Sequence, residues 1–419
     1  MTCKKTIDYL ESLLLETEIK THGRVLSKQD YIDRHFNLPI NKISLNNIMY
    51  SGTKEEILEL MELVYEKPPF QHQDPILYGQ WKIIMDSIVR AAKEILPHTV
   101  FSDQIPCFDD LKSPIIASFE DDKFNARIIY TNKNKESIEP IVLFHNGLFT
   151  VSDIFPRFFL EMLDSTGEEK QIEVNLNNII DDLYNESVLI AFPFTIRYLL
   201  STNHLFGFPY PFKESTYSNI NHIYSLCILL FIAAHEYSHY LFKYKKLFYD
   251  PGISAHEFGL SEEEWQYYEK AWKDEFQADS LAISLTLKAA HYIGFSKNNI
   301  CTGILLAIIT IDILTKAQML KFGIYEDDMI PLSPTHPPTG NRITKIATTL
   351  VKNYEYDAVM ATYIQTAYKG LWLATRRHLL ETELIFQEGG IEHYTMAQFI
   401  NSLKDIVKSN INSRNIFGS

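Results

Sequence analysis

No two cysteines of this 419-residue chain form a C-x-x-C pair. The four present, Cys3, Cys107, Cys227 and Cys301, are scattered, and two of them sit in apolar helical runs, so they read as reduced core residues. Such usage argues against a disulfide-built secreted scaffold and points to a reducing compartment. Basic charge is also scarce. Against 53 Asp and Glu stand 39 Lys and Arg, a net charge of -14, which disfavours nucleic acid or an anionic membrane surface as partner. Long hydrophobic runs are missing too: the two most apolar stretches, 226–234 and 303–311, fall short of the roughly 18 to 20 residues that a membrane span requires. Asp8, Glu11, Glu16 and Glu18 interrupt the N-terminal stretch where a secretory apolar region would lie. The expectation is a cytoplasmic protein without a membrane span.

What is present suffices for a large core: 46% of residues are hydrophobic and 22% charged. The chain reads as three regions. Residues 1–105 alternate helical patterns at 7–19, 54–64 and 81–95 with polar breaks and carry no evident chemistry. Their histidines, His22, His35, His72 and His98, are isolated. Residues 106–345 change period, with short β-rich runs at 115–119, 126–130 and 138–144 that predict a small antiparallel sheet. A helix follows at 153–163, then an acid-containing segment, the apolar segment 188–200 and an aromatic loop at 206–212. Long helices are expected at 262–290 and 301–320, then an acidic turn at 326–328 and a proline-rich segment at 331–338. Residues 346–419 return to helix, strongly at 357–383 and again at 395–408. The fold class expected is α+β and mostly helical.

The chemistry concentrates in His235-Glu236-Tyr237-Ser238-His239. On a helix, two imidazoles four residues apart share one face and can hold a Zn²⁺ ion. Glu236, rotated by about 100° from that face, stays off the metal and can take a proton from water activated there. The apolar run before the motif makes this a buried helix, where histidine and glutamate need partners that a metal supplies. The alternative for the pair is two core histidines satisfied by neighbouring side chains.

A catalytic zinc takes three protein ligands and keeps a fourth position open. Candidates for the third are His256, Glu262 to Glu264, Glu269, Asp274 and Glu275. Glu275 is preferred, because Asp279 lies one turn away on a face of small residues that includes Ala278 and Ala282. One acid can then bind the metal while the other accepts a hydrogen bond from a ligand imidazole and fixes its tautomer. Solvated helix acids are the bland alternative.

Three blocks together, His235-Glu236-x-x-His239, Asp274-Glu275-Phe276-Gln277-Ala278-Asp279 and Thr335-His336-Pro337-Pro338 with Arg342-Ile343, resemble the signature of gluzincin metallopeptidases of the HtpX and CAAX-prenyl-protease type. They are similar also to Lit-type phage-exclusion peptidases. The resemblance covers residues 235–343 and implies a zincin-like metallopeptidase core within 106–345, flanked by helical regions. It implies one Zn²⁺ per chain on His235, His239 and Glu275, Glu236 as general base and acid, and Asp279 beside a ligand imidazole. His336 would lie in the cleft as an oxyanion donor or resting-state cap of the metal, or simply form a turn before Pro337; Arg342 is expected to pair with an acid. The function expected is a zinc endopeptidase acting on a protein or peptide. Alternatives are a catalytically silent zinc-containing scaffold and a latent phage-defence peptidase.

Overall fold

The computed structural model describes residues 3–27, 30, 42–45, 48–51, 68–104, 108, 111–120, 124–129, 141–163, 186–202, 218–244, 247–248, 250–321 and 336–381. The expected helices at 54–64 and 395–408, most of the acid-containing segment, the loop at 206–212, the turn at 326–328 and residues 331–335 lie outside them.

Helix α1 (Cys3–His22) opens the chain. The N-terminal region is not wholly helical: β1 (Lys42–Leu45) and β2 (Ile48–Ser51) pair antiparallel, Ile43 opposite Tyr50 and Leu45 opposite Ile48. Their β-branched and aromatic residues favour the extended chain. Helix α2 (Pro75–Ile95) starts where Asp74 accepts hydrogen bonds from the N–H groups of Ile76 and Leu77, with a proline in the first turn, where its missing N–H costs nothing.

Three short strands follow, β3 (Ile115–Phe119), β4 (Ala126–Ile129) and β5 (Ile141–His145). Their spatial order is β3-β5-β4, so the sheet is mixed where an antiparallel one was expected: β3 runs parallel to β5, and β4 antiparallel to it. Burial explains the order. Every residue of β5 is buried, so the last strand takes the central slot and the more exposed β4 an edge. One face of the sheet, Ala117, Phe119, Ile141 and Leu143, packs under Leu10 and Leu14 of α1. The opposite face joins the main core, where Phe144 stacks on Trp81 of α2 with ring centroids 3.8 Å apart.

The rest is helical, in line with the expected class. In order come α3 (Gly147–Leu163), α4 (Glu186–Thr202), α5 (Ser218–Tyr244), α6 (Glu262–Tyr292), α7 (Lys297–Lys321), α8 (Thr339–Tyr354) and α9 (Ala358–Glu381). Helix α6 begins with a capping box between Ser261 and Glu264, which satisfies two backbone donors at once. Gly294, at φ +86°, lets the chain turn from α6 into α7. Helix α5 packs against α3, α6 and α7, and Cys227, Ala233 and Ala234 are fully buried on it.

By length and composition α5 and α7 could each cross a membrane, and the apolar window of each is 78% and 83% buried within the protein. Helix α7 also carries Asp312, fully buried, which meets Lys316 at 3.1 Å and accepts a hydrogen bond from Tyr368 of α9.

The crossing of α5 and α7 depends on Gly303. A Cβ there would stand 2.3 Å from the Cys227 Cβ and 3.3 Å from the Tyr224 carbonyl oxygen, too close for either backbone to remain in place. Gly303→Ala should therefore destabilise the protein by about 1–3 kcal/mol through overpacking. Gly370→Ala on α9, with nothing within 4 Å of the added methyl, should be stabilising by about 0.5–1 kcal/mol. Thermal or urea unfolding of both variants checks this; equal effects would contradict the close crossing.

Candidate metal centre

Helix α5 delivers His235 and His239 half-buried at the end of its apolar run, one turn apart as their spacing requires. Their Nε2 atoms lie 3.0 Å from each other, with the rings perpendicular. Helix α6 packs directly on α5, and Ala278 and Ala282, on the same helical face as Glu275 and Asp279, are fully buried. This brings Glu275 to the same point: its Oε1 is 3.2 Å from His239 Nε2, and its Oε2 is 3.5 Å from His235 Nε2.

Those three separations test whether an ion fits. Bonds of about 2.0–2.1 Å at tetrahedral angles place neighbouring ligand atoms about 3.3 Å apart. The His235–His239 separation of 3.0 Å and the 3.2 Å from His239 Nε2 to Glu275 Oε1 lie close to that value, and one ligand atom from each of the three residues lies within 4.8 Å of the other two. Glu275 Oε2 is buried and accepts no hydrogen bond; Arg342 and His235 face it as ion-pair partners at 3.4 and 3.5 Å, which leaves a lone pair for a cation. Two imidazoles and a carboxylate form a donor set suited to a divalent metal such as zinc. Among the described residues this is the group of three such side chains whose ligand atoms lie within 4.8 Å of one another.

A second layer holds the first in place. Asp279, one turn beyond Glu275, puts Oδ1 3.0 Å from His235 Nδ1, which turns the Nε2 of that ring toward the centre. Arg342, from the start of α8, grips Asp279 with two hydrogen bonds, Nε to Oδ2 at 2.8 Å and Nη2 to Oδ1 at 2.7 Å. Its Nη1 lies 3.4 Å from Glu275 Oε2. All three side chains are buried.

Charge follows from this packing. Burial disfavours the carboxylate of Glu275, but contacts with His235, His239 and Arg342 outweigh it and hold the group well below the usual range. Asp279 is likewise lowered against its burial, by Arg342 and His235. Burial disfavours the His235 imidazolium, yet Asp279 and Glu275 push its pKa up to about 10.

The remaining candidates fall outside the cluster. His256 is exposed in a short 3₁₀ turn, Glu262, Glu263 and Asp274 face solvent, Glu264 is committed to the helix cap, and Glu269 pairs with Lys273 at 2.9 Å. Glu236 is half-buried beside His235, and its charge reaches Arg342. His336 stands on the open side with its side chain 60% exposed and Nε2 3.6 Å from Glu275 Oε1. The acid expected to pair with Arg342 is Asp279; spacing alone left that partner open. Trp272 and Phe276, which helical spacing places on the apolar stripe of α6, gather with Trp265 and with Phe258 of the preceding 3₁₀ turn into an aromatic group that the stripe alone did not reveal.

Comparison of the chain with protein-family models, with characterised proteins and with solved structures gives no match.

Two outcomes follow from the geometry. Zinc affinity should collapse in Glu275→Ala, fall about 10 to 100-fold in Asp279→Ala, and change by no more than about twofold in Asp274→Ala. A chelator-competition titration ranks them, and greater sensitivity at Asp274 or His256 would place the third ligand elsewhere. The second outcome concerns protons. Because His235 keeps its proton between its ordinary 6.5 and about 10 in the metal-free protein, and a ligand imidazole must be neutral, zinc uptake at about pH 8 should release protons and weaken as pH falls. Calorimetry in two buffers of different ionisation enthalpy counts them; zero release would show His235 already neutral.

Proposed function

We propose that this protein is a zinc-dependent endopeptidase of gluzincin type, akin to the HtpX and CAAX-prenyl-protease group or the Lit-type peptidases, acting in the cytoplasm. The observation that carries the proposal is the convergence of His235 Nε2, His239 Nε2 and Glu275 at metal-ligand separations, with Glu236 next to the cluster and outside the set of ligands. A site that only stabilised the fold would have no use for a carboxylate in that position.

His235, His239 and Glu275 would hold the zinc ion, which when bound would supply Lewis acidity toward a scissile carbonyl and a water molecule. Glu236 takes the proton of the attacking water and passes it to the leaving amine. His336, exposed on the open side beside Glu275, donates to the oxygen that gains negative charge. A peptide substrate is supported by β4, which packs against α5 and is an edge strand among the described residues, the kind of element along which an extended chain can pair. Burial of most of the apolar windows of α5 and α7 within the protein supports a fold without a membrane span.

Glu236→Gln tests the assignment. It should bind zinc like the parent protein and lower cleavage of a mixed peptide library by about 100-fold or more, the contribution expected of a general base. A variant that cleaves as fast as the parent would exclude Glu236 from the reaction.

A further inference from the structure

Arg342 reaches the centre from α8, a helix that contributes none of the three candidate ligands. It is 4% exposed, and a guanidinium is seldom buried this deeply without a planar, bidentate partner. Asp279 is that partner, and its Oδ1 is shared: Arg342 Nη2 lies 2.7 Å away and His235 Nδ1 3.0 Å away. The third nitrogen, Nη1, faces Glu275 Oε2 at 3.4 Å. One side chain thus touches both buried acids of α6, one the candidate ligand and the other 3.0 Å from the Nδ1 of a ligand imidazole.

We propose that Arg342 is a positioning residue of the metal centre, acting through Asp279 to fix the proton of His235 on Nδ1 and so present its Nε2 to the ion. The inference rests on reading His235, His239 and Glu275 as metal ligands. Without Arg342, Asp279 is a buried carboxylate with one fewer partner and is free to rotate. His235 then loses its fixed acceptor, and the tautomer with a proton on Nε2, which cannot bind metal, becomes accessible. Lysine at the position would restore charge but not the two-pronged grip, because its ammonium is a point donor.

The experiment uses the full chain, stripped of metal and titrated with zinc alone against a chelating dye, with the unfolding midpoint of the metal-free protein measured in parallel. Arg342→Gln is expected to weaken zinc binding about 10 to 100-fold, with Arg342→Lys between it and the parent. Ile346→Ala, a buried apolar truncation on the same helix, should lower the unfolding midpoint and leave zinc affinity unchanged. Because Arg342 acts through Asp279, the double variant Arg342→Gln/Asp279→Asn should bind zinc about as well as the weaker of the two single variants. Should Arg342→Gln not fold, Arg342→Lys and Asp279→Asn carry the same comparison: both should weaken zinc binding, and parent-like affinity in both would overturn the inference. Parent-like zinc affinity in Arg342→Gln overturns the inference, as do losses that multiply in the double variant or an equal loss in Ile346→Ala. A parent protein that takes up no zinc overturns the metal-centre reading itself, and shows this before any variant is compared.

Discussion

The structure depends on the close approach of α5 and α6, which sets His235 Nδ1 3.0 Å from Asp279 Oδ1 inside the protein. Neither group belongs in an apolar interior alone, since each buried ion loses several kcal/mol of hydration even after local relaxation. What makes the arrangement tenable is that every charge there faces an opposite one: Asp279 between His235 and Arg342, and Glu275 among His235, His239 and Arg342. Removing one member of such a network typically costs about 3–5 kcal/mol, because the partner left behind stays buried and uncompensated. Small side chains are part of the same solution. Ala278 and Ala282 are fully buried on the helix that carries Glu275 and Asp279, and Gly303 leaves the space where α7 crosses α5.

These requirements meet on single helices. Helix α5 spends its first four turns filling the core with Leu226, Leu229, Leu230 and Phe231, then presents His235, Glu236 and His239. Helix α6 divides likewise: Trp265, Trp272 and Phe276 pack a separate aromatic cluster, Glu275 and Asp279 face the site, and Ile283 and Leu285 return to the main core. The site therefore sits on two of the most firmly held elements of the fold, as a metal centre requires for ligand atoms to stay in register.

Local pattern revealed most of the site. The four-residue intervals from His235 to His239 and from Glu275 to Asp279 place each pair on one helical face whatever the tertiary fold, and the apolar run before His235 marks its helix as buried. Burial separated Glu275 from Asp274 as the helical rotation between them predicts. Partners distant in sequence were harder. Arg342 called for an acid, but only the packing of α8 chose Asp279, 63 residues away. The sheet shows the same limit: the three strands were legible as β-rich runs, while the insertion of β5 between β3 and β4 follows from how much apolar surface each must bury. The β1–β2 pair has only four residues in each strand, too few to set a clear period between the helical patterns on either side.

The central claim is that two imidazoles and one carboxylate hold a zinc ion. X-ray absorption at the zinc edge, on protein loaded with one equivalent of zinc, examines that shell directly. The account predicts nitrogen and oxygen neighbours at about 2.0–2.2 Å, with the outer-shell scattering of two imidazole rings and no sulfur. A spectrum showing sulfur at about 2.3 Å, or only the water shell of a loosely held ion, would contradict it.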